Sequence, residues 1–247
     1  MAAPWNLAIE TSGRHGSVSL GRGEDLLASR DLPEQRRHAI GLMPEIAGLC
    51  DEHGAAPADL GEVYVSVGPG SFTGLRVGVT VAKALAWARG ARPVAVPTLD
   101  AIAANADPRD GPADAALAVM LNAKGGRYFV GVFDKPAADA AGTPAETSGG
   151  PWRRRGEPGL MTPGQLCETV GRALRVIVDQ PPDYDWPEGV ELLSPAMARA
   201  RSEAVWRIGR DLADAGCFTD PYALSPLYIR LPDAEEKWRS AQPRQTT

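Results

Sequence analysis

A glycine-rich turn between a strand and a helix is the feature that most constrains how this chain folds. Residues 63–67 (Val-Tyr-Val-Ser-Val) predict a strand, and residues 68–76 (Gly-Pro-Gly-Ser-Phe-Thr-Gly-Leu-Arg, here the glycine loop) follow at once. A helix then runs to about residue 89, and residues 93–96 predict another strand. Because strand, helix and strand in this order predict a crossover and a parallel pair, the fold class is α/β.

The other elements lie on either side of residues 107–114, whose Pro, Gly and Asp content predicts a linker. Before it we predict strands at 6–10, 17–20 and 26–31 and helices at 38–53 and 99–105. After it we predict a hairpin of 115–121 and 128–134, a long loop over 136–163, helices at 165–173 and 197–213, and a strand at 175–178. The chain therefore divides into a first half (1–106), a smaller second half (107–232) and a flexible tail (233–247).

The composition is that of a folded, weakly acidic protein. The 247 residues include 26 basic and 31 acidic side chains, a net charge of -5, which does not favour nucleic acid as the main partner of the chain alone. Three isolated cysteines argue against a disulfide scaffold or a zinc knuckle. Without a signal-peptide pattern or an apolar run of about 18 residues, we expect a cytoplasmic protein with no membrane contact.

Polar groups at two strand ends are candidates for holding a phosphate. The glycine loop leads into a helix N-terminus, whose free N–H groups suit an anion, and its candidates are Gly68, Gly70 and Ser71. The first strand ends in a carboxylate and two hydroxyls that could hold Mg²⁺ and phosphate, namely Glu10, Thr11 and Ser12. Because the spacing matches neither the dinucleotide nor the Walker pattern, a capped turn is the alternative at both places.

Small residues recur every fourth position along the helix after the glycine loop. This small-residue stripe consists of Gly74, Gly78, Ala82, Ala86 and Gly90. Such a stripe lets another backbone approach closely, and a glycine inside a helix costs up to about 1 kcal/mol relative to alanine. The stripe therefore indicates tight packing, either within its own domain or against a helix of another chain.

The sequence does not favour metal or nucleophile chemistry. The histidines are His15, His38 and His53, and none pairs at helical spacing with a second ligand, so we predict no metal site. Nor does any arrangement predict a catalytic residue. Residues 152–155 (Trp-Arg-Arg-Arg) could touch RNA phosphate, although a solvated loop is favoured.

Several stretches form a recognisable set. They are the opening strands at 7–12 (Leu-Ala-Ile-Glu-Thr-Ser) and 17–20, the first helix at 38–46, the glycine loop and helix at 67–78, the hairpin at 121–133 and the closing motif at 226–230 (Pro-Leu-Tyr-Ile-Arg). Together these stretches resemble the bacterial TsaB (YeaZ) family, in the glycoprotease-like branch of the actin/Hsp70/sugar-kinase fold. The resemblance implies two actin-like (ribonuclease H-like) half domains, with mixed sheets flanked by helices.

The resemblance also implies a noncatalytic role in tRNA modification. Family members support TsaD, a transferase of the same fold that places a threonylcarbamoyl group on the adenosine next to the anticodon, in a pathway that also uses the ATPase TsaE. We expect the partner surface on helices 38–50 and 74–89, with the candidates His38, Leu42, Ile46, Gly74, Gly78, Ala82 and Ala86. The same surface could form a homodimer without TsaD, and tRNA is expected to bind only through the complex.

Departures from the relatives weaken metal and nucleotide binding. Where TsaD has a two-histidine metal motif, this chain has His38 with Leu42 one turn on. Family members usually carry Asp where Glu10 and Asn122 stand, and the longer Glu10 shifts its carboxylate by roughly 1 Å, which disturbs an octahedral Mg²⁺ shell. We therefore expect a vestigial phosphate site and no tightly bound cofactor in this chain. Binding of ATP or ADP with Mg²⁺ is expected only in the complex. The alternatives are a nucleotide-dependent phosphotransferase or hydrolase, and a metallopeptidase.

Overall fold

The computed structural model describes residues 3–33, 38–136, 150–171 and 173–229, with residues 38 and 39 described by their backbone alone. Its first sheet has the strand order β3-β2-β1-β4-β5. Strands β1, β2 and β3 form an antiparallel meander, and β1, β4 and β5 are parallel. The bounds are Trp5–Glu10 (β1), Ser17–Arg22 (β2), Asp25–Asp31 (β3), Leu60–Gly68 (β4) and Arg92–Pro97 (β5).

The second sheet repeats this arrangement with shorter edge strands. Its order is β11-β10-β6-β7-β8, and β9 also pairs with β7. Strands β6 and β7 form the predicted antiparallel hairpin, while β6, β10 and β11 are parallel. The bounds are Ala116–Asn122 (β6), Tyr128–Asp134 (β7), Arg153–Arg154 (β8), Gly159–Met161 (β9), Leu174–Val178 (β10) and Val190–Leu192 (β11). Two mixed sheets flanked by helices confirm the predicted fold class.

The helices and sheets form alternating layers around three hydrophobic clusters. The helices are His38–Glu52 (α1), Phe72–Arg89 (α2), Thr98–Ala103 (α3), Pro163–Val170 (α4) and Ser202–Asp214 (α5). Helices α1 and α2 cover the outer face of the first sheet, α3 and α5 lie in the cluster shared by both sheets, and α4 covers the outer face of the second sheet. Residues at the ends of β1, β4 and β6, namely Ser12, Gly70 and Asn122, line one cavity between the two sheets.

Helix α5 packs closely against the inner face of the first sheet because two glycines leave room for it. A Cβ on Gly209 would lie 2.4 Å from Cγ of Tyr64 on β4, and a Cβ on Gly21 would lie 2.4 Å from Nε1 of Trp206. That indole nitrogen donates to Oδ1 of Asn6 over 2.6 Å. The sequence places residues 202–214 in the second half, but their packing joins them to the core of the first sheet.

The structure corrects several predicted elements. The loop predicted over 136–163 contains β8 and β9, both paired with β7, while residues 137–149 lie outside the described ranges. The helix predicted over 197–213 is a 3-10 helix, Pro195–Ala198, followed by α5. At the break, Arg199 and Arg201 have extended backbone angles, and Nδ2 of Asn105 donates to the carbonyl oxygens of Met197 and Arg199. Strand β11 was not predicted.

The predicted tail, residues 233–247, and Arg230 of the closing motif lie outside the described part of the chain. Before that point, residues 218–229 run beside α2. The Leu227 amide donates to the Val67 carbonyl over 2.7 Å, and Nζ of Lys83 donates to the Leu224 carbonyl. No helix within the described ranges has the length and apolar character needed to cross a membrane.

Candidate functional site

The glycine loop is fastened to the end of β1 by main-chain contacts. A Cβ on Gly70 would lie 2.5 Å from the Ser12 carbonyl oxygen, so only glycine fits there without a shift. The Ser71 amide donates to the same oxygen over 2.6 Å, and Oγ of Ser71 accepts from the Gly74 amide at the start of α2. Ser71 is thus a helix cap, and two main-chain donors of the proposed phosphate loop already have partners within the chain.

The small-residue stripe, apart from the exposed C-cap Gly90, faces the chain's own first sheet. A Cβ on Gly78 would lie 2.5 Å from Oγ1 of Thr11, which itself donates to the Gly74 carbonyl over 2.8 Å. Ala82 is 0% exposed, and Ala86 is also buried. Of the two alternatives for the stripe, the structure therefore supports packing within its own domain, because the side of α2 that carries these residues is filled by β1 and β4.

The predicted partner residues on α1 are also buried where the structure describes them. Leu42 and Ile46 are 1% and 3% exposed and belong to the cluster beneath the helix pair. His38 begins α1, but its side chain lies outside the described part. Six of the seven predicted interface candidates, all except His38, are therefore buried in the isolated chain and do not form its surface.

A different set of side chains forms the exposed face of the two helices. On α1, Ile40 and Met43 are 63% and 50% exposed. On α2, a shallow groove of about 420 Å³ is lined by Phe72, Thr73, Arg76, Val77, Thr80 and Val81. We call Ile40, Met43 and these groove residues the helix-pair face. Ile40, Met43 and Phe72 are large apolar side chains that this face exposes.

A cleft between the two sheets brings together four of the predicted phosphate-site residues. Its volume is about 770 Å³, within the range of small-molecule sites. Ser12, Gly70, Ser71 and Asn122 line it, together with residues that the sequence did not single out. The most notable of these are Arg14, Asp179, Arg199 and Arg201.

The other predicted phosphate-site residues lie beneath or beside the cleft rather than on its wall. Glu10 is buried, and its Oε1 accepts from both the amide and Oγ of Ser12. Thr11 is buried by its contact with α2. Gly68 is covered by the last described segment, since a Cβ there would lie 3.0 Å from the Leu227 carbonyl oxygen. Glu10, Thr11 and Gly68 therefore support the loop structurally.

Asn122 closes the β6–β7 turn on the far wall of the cleft. Its Oδ1 accepts from the Lys124 amide over 2.7 Å, and its Nδ2 donates to Oε1 of Gln180. Oδ1 of Asp179 accepts from the amides of Asn122 and Gln180. Burial raises the pKa of Asp179, although these backbone hydrogen bonds act in the opposite direction. The side chain of Asn122 is thus engaged in holding the turn.

The Trp152–Arg155 segment is part of the fold, which corrects its interpretation as a solvated loop. Nε1 of Trp152 donates to the Ala106 carbonyl from a buried position, and Arg155 pairs with Asp134. Arg154 forms an ion pair with Asp100 of α3 over 3.3 Å, and both side chains are at most 10% exposed. These contacts tie the second sheet to the first half of the chain.

Asp100 makes the stability of this connection depend on pH. Burial raises the pKa of Asp100 to about 6 in spite of Arg154, against an ordinary value of 3.8. The folded state then binds more protons than the unfolded state between these pH values, so the free energy of unfolding falls as the pH rises from about 4 to about 6. The difference corresponds to roughly 3 kcal/mol.

Substitution of Asp100 tests this assignment by urea unfolding from pH 4 to pH 7. In Asp100→Asn the free energy of unfolding should no longer fall over this pH range through residue 100, whereas the exposed Asp51→Asn should keep the wild-type decrease. A wild-type pH dependence in Asp100→Asn would contradict the assignment.

The three arginines in the described lining of the cleft come from segments that carry no motif. Arg14 lies between β1 and β2, and Arg199 and Arg201 lie between the 3-10 helix and α5. Only the break in the helix predicted over 197–213 turns the last two toward the cleft.

No group of three or more His, Cys, Asp and Glu side chains within the described ranges could hold a metal ion.

Comparison with known proteins gives matches that each cover about half of the chain or less. A family model described as TsaD, tRNA N6-adenosine threonylcarbamoyltransferase, matches residues 32–143. The tRNA threonylcarbamoyladenosine biosynthesis protein TsaB of Bacillus subtilis is 34% identical over 127 residues, covering 51% of this chain and 54% of that protein. A tRNA N6-adenosine threonylcarbamoyltransferase of Streptococcus mutans is 37% identical over 98 residues, covering 33% of this chain and 29% of that protein. The chain spans about half the length, or less, of these curated relatives.

Solved structures extend the likeness over nearly the whole chain. YeaZ from Pseudomonas aeruginosa matches with a TM-score of 0.70 at 22% identity, covering 91% of this chain and 99% of that one. A second structure from the same organism, described as similar to peptidase YEAZ, matches with a TM-score of 0.71 at 21% identity, covering 92% and 100%. At these identities the likeness establishes the fold. The sequence motifs, the identity to the Bacillus protein and the YeaZ-like fold together support assignment of this chain to the TsaB/YeaZ family.

Proposed function

We propose that this chain acts in tRNA threonylcarbamoyladenosine biosynthesis, as a noncatalytic subunit that supports a TsaD-type transferase. The observation that carries the proposal is the identity to a protein named for this pathway. The TsaD-type match over residues 32–143 supports the pairing, because it spans α1, α2 and the β6–β7 hairpin. A partner with the same helices could face them across a pseudo-two-fold axis.

The partner surface in this proposal is the helix-pair face rather than the buried small-residue stripe. Ile40 and Met43 of α1 and the groove along α2 offer apolar side chains to a second pair of helices. Arg76 at the groove is held in place, because its guanidinium lies 3.8 Å from the Phe72 ring centroid and its Nε donates to the Tyr228 hydroxyl. Ordered Arg and aromatic side chains are typical of the residues that dominate interface energies.

The remaining parts of the proposal follow from this pairing. Without the transferase, the same face would join two copies of this chain as a homodimer. The TsaE-type ATPase and the tRNA would meet the complex rather than the isolated chain. Mg²⁺–ATP would bind the isolated chain weakly, since Oε1 of the buried Glu10 already accepts from Ser12 and two amides of the glycine loop have internal partners.

Charge substitutions on the helix-pair face provide the test. Met43→Arg and Thr80→Arg place a cation in the centre of the proposed contact, where its desolvation should weaken binding to the organism's own TsaD by about tenfold or more. Because both side chains are exposed, the melting temperature of the isolated chain should stay nearly unchanged. Leu192→Arg, at an exposed apolar position on β11, is the matched control and should leave binding intact.

Co-purification and calorimetry with TsaD distinguish the outcomes. Wild-type affinity in both folded variants would remove this surface from the proposal. Failure of the wild-type chain to bind TsaD at all, together with ATP turnover by the purified chain, would instead favour a nucleotide-dependent phosphotransferase or hydrolase.

A further inference from the structure

Helix α2 carries positive charge that is not balanced within the helix. Its cations are Arg76, Lys83 and Arg89, and its 18 residues include no Asp or Glu. Nζ of Lys83 donates to the Leu224 carbonyl over 3.0 Å, beside the helix, and Arg89 lies in the last turn. Of the three cations, Arg76 is the one that lines the groove of the helix-pair face.

The contacts of Arg76 use only part of its guanidinium group. One planar face lies over the Phe72 ring, 3.8 Å from its centroid, and Nε donates to the Tyr228 hydroxyl over 3.1 Å. Within the described ranges Arg76 has no carboxylate partner, and its side chain is exposed. The Nη1 and Nη2 groups therefore remain for a ligand, and their planar fork matches the two oxygens of a carboxylate.

The helix-pair face offers Arg76 no counter-charge of its own. The eight residues that define this face include no acidic side chain. On α1, Glu45 and Glu52 both pair with Arg30, and Asp51 lies in the last turn of the helix. A partner that covers the groove removes water from Arg76, and a desolvated cation without a counter-charge is strongly unfavourable. The partner must therefore bring a negative group to this place.

We propose that Arg76 forms a bidentate ion pair with a carboxylate side chain of the TsaD-type transferase and so favours that partner over a second copy of this chain. The inference rests on the proposed function and adds the chemistry that the partner brings. Charge complementarity supports it, because one ordered cation in an apolar groove fits an apolar surface that carries one acidic side chain. Tyr228 is a positioning residue, since its hydroxyl holds Nε and reduces the side-chain freedom that Arg76 loses on binding.

The same arrangement disfavours the pairing of two copies of this chain. In an isologous contact each copy would bring Arg76, and neither helix-pair face would bring a carboxylate. Both cations would then lose water without gaining a counter-charge. Removal of the charge should therefore weaken binding to TsaD without weakening self-association.

Calorimetry of the full chain with the organism's own TsaD tests the ion pair. Arg76→Gln should weaken binding by about tenfold. Arg76→Glu should weaken it by a further factor of about ten, because two carboxylates would then face each other. The matched control is Arg89→Gln, which removes the same charge from an exposed position about 20 Å further along the helix. This separation exceeds the screening length of about 8 Å at physiological salt, so the control should bind like the wild type.

A double-mutant cycle tests the positioning role of Tyr228. Tyr228→Phe keeps the ring that contacts Phe72 and removes the hydroxyl that accepts from Arg76. It should weaken TsaD binding by about threefold in the wild-type chain and leave it unchanged in the Arg76→Gln background. An equal loss in both backgrounds would show that Tyr228 does not act through Arg76.

Sedimentation of the isolated chain provides the second readout. Arg76→Gln should self-associate no more weakly than the wild type, and its melting temperature should stay nearly unchanged because the side chain is exposed. The inference is overturned if Arg76→Gln binds TsaD like Arg89→Gln, if Arg76→Glu binds as tightly as Arg76→Gln, or if self-association falls together with TsaD binding.

The helix-pair face variants separate this inference from the proposed function. Failure of the wild-type chain to bind TsaD would overturn both. Loss of binding in Met43→Arg beside wild-type affinity in Arg76→Gln would overturn the ion pair alone and leave the proposed partner surface in place.

Discussion

Gly209→Val is expected to separate α5 from the first sheet and to destabilise the chain by about 4 kcal/mol. The new Cβ would overlap Cβ and Cγ of Tyr64, which lie close to the backbone of the central strand β4 and cannot swing away. The helix must therefore move outward, and buried Val205, Trp206 and Ile208 lose contact with the sheet. For a chain of this size the melting temperature should fall by about 8–16 °C.

Arg207→Val is the control for Gly209→Val. It introduces the same β-branched side chain into the same helix at an exposed position, so it reports the helix-propensity cost alone, less than about 1 kcal/mol. If Gly209→Val does not fold, Gly209→Ala should still be less stable than wild type, although alanine is the better helix former. Equal or higher stability of Gly209→Ala in urea unfolding would show that α5 does not pack as described.

Gly78→Leu is expected to destabilise the isolated chain by about 3 kcal/mol, or roughly 6–12 °C in melting temperature. The side chain would enter space already filled by Oγ1 of Thr11 and by methyl groups of Ile9 and Val65. Ala84→Leu enlarges an exposed residue of the same helix and should change stability by less than about 0.5 kcal/mol. Differential scanning calorimetry on both variants makes the comparison.

A double-mutant cycle identifies the atom responsible at Gly78. Thr11→Ala removes the hydroxyl that a Cβ at position 78 would meet, so Gly78→Ala should cost less in that background than in wild type. Strict additivity would mean that Thr11 and α2 are not in contact. TsaD affinity of the folded Gly78→Ala protein should remain that of wild type, and a selective loss of affinity would return the small-residue stripe to the partner surface.

The sequence predicts the central elements of the fold because their patterns are local. A five-residue apolar run, the glycine loop and a helix closed by Gly90 coincide with β4 and α2, and the hairpin around Lys124 coincides with β6 and β7. Strands β8, β9 and β11 have two or three residues each and exist through pairing with a neighbouring strand. Segments this short contain no hydrophobic repeat from which a strand could be predicted.

The sequence predicted the residues that line the cleft only where they directly follow a predicted strand. Ser12, Gly70, Ser71 and Asn122 follow strands that the sequence makes visible, and they do line the cleft. Arg199 and Arg201 reach it from an extended break between two helices, where the side chain of Asn105, more than ninety residues away in sequence, binds the main chain. The small-residue stripe shows a related limit: spacing indicates that something packs against Gly78 but does not distinguish β1 of the same chain from a helix of another.

The late position of α5 in the chain has a consequence for synthesis on the ribosome. All five strands of the first sheet have been translated by residue 97, yet the helix that covers their inner face ends at residue 214. Until then Tyr64, Val94 and Val96 lack their final partners. A nascent chain at this stage exposes an apolar sheet that chaperones can recognise, and a fragment cut at residue 106 would aggregate instead of folding as a separate unit.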